Sequence, residues 1–478
     1  MKIGLDIDNV VANFDKDILK EYFIEDKKKR NKGIVNNQAE HIVKGMFDWS
    51  KEEQDEFFNN NMERIAKTLE PRDGAKYYMN KMIDDGHELY LISNRVHPHY
   101  NNPFEVTEKW LNEKNLKYTK LILSKTKNKS LECNQYNIDI MFDDSKSNCQ
   151  KLLDSKINCF LMKTNYNNAE NCGLPFVLDW KNLYEIVCDE AIKMEKEIHV
   201  ILDTDTNNEA DDQFALAYLL KSSERIILDA ITIAPYSHEN DINIEDGLNK
   251  SYKVCEKIFE LLDIESENKI FRGSTNYLKN GYDEETDAIK RMVEIIKEND
   301  STTIIAIGAF TNIGILLKRH PDLKSKIKIV WLGGHNCLSG DNKEYNFKQD
   351  LEANRIVFES GTNLTVIPCN GVATNLTTSI YELQNYFDVD RGLGKFLYDR
   401  FYNDGKHGIT ERRVIWDISA IGYVINPYWF ESFKIRCPKI SDELKYIESD
   451  FKHEITFVNK INVNKLYEDM FNKIGDFK

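Results

Sequence analysis

Four carboxylates, Asp203, Asp205, Asp211 and Asp212, with Glu209 beside them, crowd into the segment I-H-V-I-L-D-T-D-T-N-N-E-A-D-D-Q-F-A-L-A-Y-L-L. One apolar run enters this acidic loop and another leaves it. The loop therefore reads as the joint between a buried strand and a helix whose first turn holds Asp211 and Asp212. Like charges at such spacing repel strongly unless a cation lies among them. Ca²⁺ suits the set, because it accepts many oxygen ligands, bidentate carboxylates included, in flexible geometry. The bland alternative, a solvated acidic turn, fits poorly between two strongly apolar segments.

A second acidic pair stands near the start of the chain, in K-I-G-L-D-I-D-N-V-V, where Asp6 and Asp8 follow an apolar strand. Two carboxylates on one tight loop can divide the labour of phosphoryl transfer, one attacking phosphorus and the other handling the leaving-group proton. Mg²⁺ is then needed to hold the nucleophile and the phosphoryl oxygens together. The remaining parts follow in order. Ser93 in L-I-S-N-R is placed to bind a phosphoryl oxygen, Lys129 in T-K-N-K-S to neutralise charge, and Asp143 and Asp144 after I-D-I-M-F to hold a hard cation. Lys125 and Lys127 compete with Lys129 for the same role.

All these residues must be delivered by strand ends, where open α/β sheets place their ligands. Short apolar runs alternating with longer amphipathic stretches give the rhythm of a parallel sheet twice over. Strands are expected at Lys2–Leu5, Glu88–Ile92, Lys120–Leu123, Ile140–Phe142 and Cys159–Met162, and again at His199–Leu202, Leu228–Ile233, Thr303–Ile307, Lys328–Leu332 and Leu364–Ile367. Between the two sets, Trp180–Lys196 has helical spacing. The domain boundary is expected at its end, giving domains 1–195 and 196–478.

The 478 residues, 41% hydrophobic and 30% charged, describe a soluble globular chain with no apolar run long enough to span a bilayer. A formal net charge of −15 argues against a nucleic-acid partner. The nine cysteines are scattered and form no C-x-x-C pair, which reads as reduced thiols rather than a zinc site or disulfide framework. The first residues enter a strand pattern directly, so no signal peptide and a cytoplasmic location are expected.

The N-terminal set resembles the haloacid dehalogenase superfamily, and within it the cytosolic deoxyribonucleotidase type of 5′-nucleotidase. The likeness extends through L-E-P-R-D-G-A (Leu69–Ala75) and E-K-W-L-N-E-K-N-L-K-Y-T-K-L-I-L-S (Glu108–Ser124). It implies a Rossmann-like parallel sheet with a small helical cap over Phe14–Ala75. It also implies that Asp6 is the nucleophile, and that Asp8 is the acid/base whose main-chain carbonyl reaches Mg²⁺. Asp143 and Asp144 would complete the metal site, and Ser93 and Lys129 would hold phosphate. Asn9 stands where these enzymes usually carry Gly; Asn tolerates positive φ better than most residues.

The C-terminal set resembles the inosine-uridine nucleoside hydrolase family, whose signature is D-x-D-x-G-x-D-D. I-G-A-F-T-N-I-G (Ile307–Gly314), W-L-G-G-H (Trp331–His335), E-Y-N-F-K-Q-D-L-E-A (Glu344–Ala353) and V-I-W-D-I-S-A (Val414–Ala420) carry the likeness onward. It implies a mixed sheet with helices on both faces. Asp205, Asp212, the Thr311 carbonyl and Asp417 would hold Ca²⁺, and Asp205 would deprotonate the attacking water. Asp211 and Asn346 would grip the ribose hydroxyls and Glu344 the 5′-hydroxyl. Trp416 would stack on the base, as in purine-preferring members, or serve the core. The acidic loop is two residues longer than the family form and lacks its Gly. Asn336 and Asn342 are the candidates for an asparagine that normally precedes Glu344. A-P-Y-S-H (Ala234–His238) replaces a Gly-Asn turn, leaving Tyr236 or His238 to line the base pocket or a plain surface loop. Homo-oligomers, dimers or tetramers, are usual in the family.

Together the two sets describe a bifunctional enzyme of nucleotide catabolism or salvage. It would strip phosphate from a nucleoside monophosphate and then cleave the nucleoside to base and ribose. Two alternatives stand beside it. In one, glycosidic cleavage comes first and ribose 5-phosphate is then dephosphorylated. In the other, one domain is a degenerate nucleotide-binding regulator.

Overall fold

Gly4 has no side chain because a Cβ there would lie 2.5 Å from Met141 Sδ, and this close approach lets the first strand sit between two neighbours. In a computed structural model, which describes all residues except 37–45, 97, 195–196, 238–242, 405–411 and 476–478, the chain divides into two compact units, Met1–Glu195 and Lys196–Lys478.

In the first unit, β1 (Lys2–Leu5), β2 (Glu88–Ser93), β3 (Lys120–Leu123), β4 (Ile140–Asp143), β5 (Asn158–Met162) and β6 (Phe176–Val177) form a six-stranded parallel sheet. Its order, β3-β2-β1-β4-β5-β6, puts β1 between β2 and β4. The carboxyl ends of these three strands therefore gather Asp6, Ser93 and Asp143. The helices Phe14–Lys29 and Lys51–Ala66 lie in the expected cap region, the second opened by a capping box between Ser50 and Glu53. Tyr22 fixes the cap interior, its ring 4.8–5.8 Å from those of Phe47, Trp49 and Phe57. The helix Trp180–Met194 buries Leu183, Val187 and Ala191, and its Trp180 indole donates to the Val10 carbonyl at 2.9 Å, bracing the loop after β1.

The second unit is built on β7 (Ile198–Thr204), β8 (Ile226–Ile233), β9 (Ile270–Arg272), β10 (Thr302–Ala306), β11 (Ile327–Leu332) and β12 (Asn363–Ile367), all parallel. Glu454–Ile461 joins β12 in parallel, and Phe430–Arg436 closes that edge antiparallel, making a mixed eight-stranded sheet. Both faces are covered by apolar helices. Phe214, Leu216 and Ile418 belong to the core on one side, and Ile289, Ile313 and Val357 to that on the other. The helix Asp211–Leu220 is buried along nearly its whole length, so its first turn cannot escape the sheet's carboxyl edge.

The Phe430–Arg436 strand escapes a reading by apolar runs, because five of its seven residues are exposed and it shows no alternation. β6 and β9, two and three residues long, fall below what periodicity can detect. Among the described residues no helix is long and apolar enough to cross a membrane, and all nine cysteines are free.

Candidate active sites

At the end of β1 the chain turns sharply enough that Asn9 adopts φ 63°. Its side chain holds the turn from both ends, Nδ2 donating to Asp144 Oδ2 at 2.9 Å and Oδ1 accepting from the Asp15 amide at 2.8 Å. Asn9 thus adopts the left-handed turn and also anchors Asp144. Asp6, Asp143 and Asp144 each offer a carboxylate oxygen, all within 4.8 Å of one another. Lys129 is 1% exposed and lies 2.8 Å from Asp6 Oδ1 and 2.7 Å from Asp143 Oδ2, while Lys125 and Lys127 are exposed. Of the three lysines, Lys129 is the one paired with the acid cluster among the described residues. Burial pushes the Asp6 carboxyl up to about 8, Lys129 opposing the shift and Asp143 and Asp144 adding to it. Burial and then Asp143 push Asp144 up to about 7, against hydrogen bonds from Tyr166 and Asn9. Three buried carboxylates that converge with a single lysine among them form a donor set that a hard cation fits.

Ser93, 2% exposed, ends β2 beside this cluster. Two residues on, Arg95 forks onto Asp8, Nη2 at 2.6 Å from Oδ1 and Nε at 3.2 Å from Oδ2. Arg95 is 1% exposed and also touches the Thr107 hydroxyl. The sequence reading missed it, although it lies in the same L-I-S-N-R run as Ser93. A bidentate fork fixes a carboxylate's plane as well as its position, which a lysine cannot do. Arg95→Lys is accordingly expected to lower phosphate release about 10- to 100-fold, the worth of a hydrogen bond to a charged group. A steady-state phosphate assay checks this, and an unchanged rate would remove Arg95 from the machinery.

In the second unit, Asp205 follows β7, Asp211 and Asp212 open the helix Asp211–Leu220, and Asp417 precedes the helix Ile418–Ile425. Oxygens of Asp211, Asp212 and Asp417 lie within 4.8 Å of one another. Asp205 stands outside that trio but acts on it: it is 1% exposed, neither of its oxygens has a hydrogen-bond donor, and its charge raises Asp417. Gly308 makes room beside it, since a Cβ there would lie 3.4 Å from Asp205 Oδ1 and 2.9 Å from the Ala234 Cβ. Burial drives Asp205, Asp211 and Asp417 well above the usual carboxylate range, with their neighbours' charges adding to it. Asp212 rises to about 7, again mainly through burial, although Thr204 donates to it at 2.7 Å. Two unpartnered buried oxygens next to three converging carboxylates fit a divalent cation.

Thr311 begins the helix Thr311–Arg319, its hydroxyl donating to Asp350 at 2.8 Å. Asp203 stands apart from the other acids of its loop. It accepts from Asn312 at 2.8 Å and Thr232 at 2.7 Å, and so ties β7 to the start of that helix. The longer acidic loop is held by Arg400, which donates to the Asn207 and Asn208 carbonyls at 2.9 and 3.4 Å.

A cavity of about 360 Å³ opens on the trio, lined among others by Asn208, Glu209, Glu344, Asn346, Trp416 and Asp417. The Glu344 carboxylate accepts from the amides of Gly334, Asn346 and Phe347 at 2.8–2.9 Å, while burial pushes it up. Asn346 Nδ2 donates to the Ile307 and Leu332 carbonyls, leaving its Oδ1 as the acceptor. Trp416 packs against the core and also lines the cavity, and its amide donates to Asp211 at 3.1 Å. Of the two asparagine candidates, Asn342 accepts from the His335 amide at 2.8 Å and Asn336 is partly exposed; neither is among the lining residues. Tyr236 is buried and accepts from Asn207 at 2.8 Å; His238 lies outside the described residues. His335, Tyr345, Cys369, Asn370 and Thr374 also line the cavity; His335 and Tyr345 lie in the W-L-G-G-H and E-Y-N-F motifs, whereas Cys369, Asn370 and Thr374 lie in none.

Both acid clusters make the metal-free protein's stability depend on pH. A carboxyl whose folded pKa is raised keeps its proton where the unfolded chain has lost it, so stability falls as pH rises from about 4 to about 7 or 8. A bound cation replaces those protons. Calorimetry of the metal-free protein is expected to show Tm falling between pH 5 and pH 8. Ca²⁺ and Mg²⁺ should raise Tm by roughly 5 °C or more at pH 8 and by less at pH 5. A metal-induced shift equal at both pH values would contradict this.

Residues 1–193 match the family of cytosolic type C 5′-nucleotidases (deoxy, pyrimidine), and residues 200–468 match the inosine-uridine preferring nucleoside hydrolases. Among curated proteins, the non-specific ribonucleoside hydrolases RihC of Salmonella newport and Salmonella typhi are each 31% identical over 133 residues, 27% of this chain. The match spans 42% of those relatives' own length. Among solved structures, the purine-preferring ribonucleoside hydrolase of Gardnerella vaginalis covers 58% of this chain and 98% of its own at 22% identity, with a TM-score of 0.47. The inosine-uridine preferring nucleoside hydrolase of Bacillus anthracis covers 58% and 99% at 15% identity, with a TM-score of 0.45. By the match over more than half its length, the chain belongs to the inosine-uridine preferring nucleoside hydrolase family, and it carries a 5′-nucleotidase domain ahead of that hydrolase domain.

Proposed function

We propose that this hydrolase works in two steps, removing phosphate from a nucleoside 5′-monophosphate in the first domain and cleaving the resulting nucleoside to free base and ribose in the second. The observation that carries this reading is the meeting of Asp211, Asp212 and Asp417 beside the bare carboxylate of Asp205, at the floor of a cavity also lined by Glu344 and Asn346. Free cysteines and a formal net charge of −15 support a small-molecule enzyme of a reducing compartment.

Asp6, the Asp8 carbonyl, Asp143 and Asp144 would hold Mg²⁺, and Asp205, Asp212, the Thr311 carbonyl and Asp417 would hold Ca²⁺; each cation would supply Lewis acidity and offset the crowded negative charge. In the first site Asp6 attacks phosphorus, and the leaving 5′-oxygen takes its proton from Asp8. Water then cleaves the aspartyl-phosphate while Asp8 recovers a proton. Lys129 and Ser93 hold the phosphoryl oxygens, and Arg95 keeps Asp8 in line.

In the second site Asp205 takes the proton of the water that attacks C1′. The C1′–N bond breaks toward the base, which leaves with the electron pair and takes a proton from solvent, while Asp205 returns the proton it took from the attacking water to solvent. Asp211 and Asn346 grip the 2′- and 3′-hydroxyls, and the ring of carboxylates stabilises positive charge that develops only in the transition state. Trp416 stacks on the base. Glu344 accepts from the 5′-hydroxyl and would repel a 5′-phosphate, which sets the order of the two steps. Incubating the purified chain with purine and pyrimidine monophosphates, Mg²⁺ and Ca²⁺ should yield phosphate and free base together. Phosphate with no base would reject the second step.

A further inference from the structure

Between Asp205 and Asp211 the acidic loop contains no glycine and no residue at positive φ. It therefore does not close in a tight left-handed turn, and its backbone polar groups must find other partners. Several lie close by. The Asn208 amide donates to the Asp205 carbonyl at 2.7 Å, the Asn207 amide to Ser251 Oγ at 3.0 Å, and Gln213 Nε2 to the Thr206 carbonyl at 3.1 Å. The adjacent carbonyls of Asn207 and Asn208 instead converge on one cation. Arg400, near the end of the helix Gly392–Asn403, donates to both from Nη2, at 2.9 and 3.4 Å. Asp404 Oδ1 lies 3.3 Å from the same nitrogen. Burial pushes the Asp404 carboxyl up, against Arg400, Arg413 and a backbone hydrogen bond from Ala210.

The pair thus grips the loop backbone at 207, 208 and 210, directly ahead of Asp211 and Asp212. Its charge alone would work against a metal. Arg400 opposes the upward shift of Asp212, so it lies near that carboxylate, and a fixed cation there repels a second one bound to the same group. We propose that Arg400, paired with Asp404, is a positioning residue that clamps the acidic loop so that Asp205 and Asp212 stay aimed at the Ca²⁺ site, and that loss of this grip weakens Ca²⁺ binding even though a repelling charge is removed. This assignment rests on the reading of Asp205, Asp212 and Asp417 as Ca²⁺ ligands.

The test is calorimetric titration of Ca²⁺ into the full chain held in excess Mg²⁺, in wild type, Arg400→Ala, Arg400→Lys and Asp417→Asn. The binding step lost in Asp417→Asn marks the second site. Arg400→Ala should raise the Kd of that step about 10- to 100-fold, the usual worth of a group that orients a metal ligand. Lysine keeps both the charge and a donor for the two carbonyls, so Arg400→Lys should recover most of the loss. Base release by Arg400→Ala should return to within about 3-fold of wild type once Ca²⁺ is saturating. An unchanged Kd, even with a lower Tm, would leave Arg400 a part of the scaffold alone, and a tighter Kd would mean that its charge outweighs its grip; either overturns the assignment. So does a rate that saturating Ca²⁺ fails to restore, or a lysine variant as weak as alanine. Wild-type protein with no Ca²⁺ step beyond those of Asp417→Asn overturns the ligand reading, and this assignment with it.

Discussion

Asp205→Asn is expected to lower base release from a nucleoside by about 10²- to 10⁴-fold, the usual worth of a positioned general base. The substitution keeps the side chain's size, so the packing around Gly308 survives, but it removes a buried carboxylate that has no donor on either oxygen. It also removes a negative charge that raises Asp417, so Ca²⁺ must be saturating when kcat is measured. Phosphate release from a nucleotide should be unchanged, because its residues lie in the other unit. A loss that extra Ca²⁺ fully restores would make Asp205 a ligand and not a base.

Asp6→Asn removes the proposed nucleophile of the first reaction, the carboxylate that Lys129 holds at 2.8 Å directly after β1. Loss of a covalent nucleophile is expected to cut phosphate release by about 10³-fold or more. The same variant decides the order of the steps. Given a nucleoside monophosphate, it should accumulate the nucleotide and release no base, while cleaving an added nucleoside at the wild-type rate. Accumulation of ribose 5-phosphate would instead mean that glycosidic cleavage precedes dephosphorylation. Product separation from a single incubation distinguishes the two.

The parts of these sites that could be read from the sequence are those written contiguously. Strand, acidic loop and buried helix follow one another without interruption from Ile198 to Leu220, and each boundary is marked by a change from apolar to acidic residues. The central strands β1, β4, β7 and β10 were legible for the same reason: both faces are covered, so they appear as unbroken apolar runs. The edge strand Phe430–Arg436 shows mostly exposed residues and gives no such run. Side-chain partners drawn from distant segments left no local trace. Arg95 reaches Asp8 across 87 positions, and Asp203 lies among site acids in the sequence but ties two structural elements together in the fold. The position of His335 at the cavity depends on the left-handed turn at Gly334, which a Gly-Gly pair permits but does not specify.

The central claim is that carboxylates from separate segments gather around one cation next to the ribose. Crystals of the protein grown with Ca²⁺ test it directly. The account predicts one anomalous peak about 2.3–2.6 Å from oxygens of Asp205, Asp212 and Asp417 and from the Thr311 carbonyl, at the floor of the cavity that Glu344 lines. A peak elsewhere, or these side chains turned away from one another in the Ca²⁺-loaded protein, would contradict it.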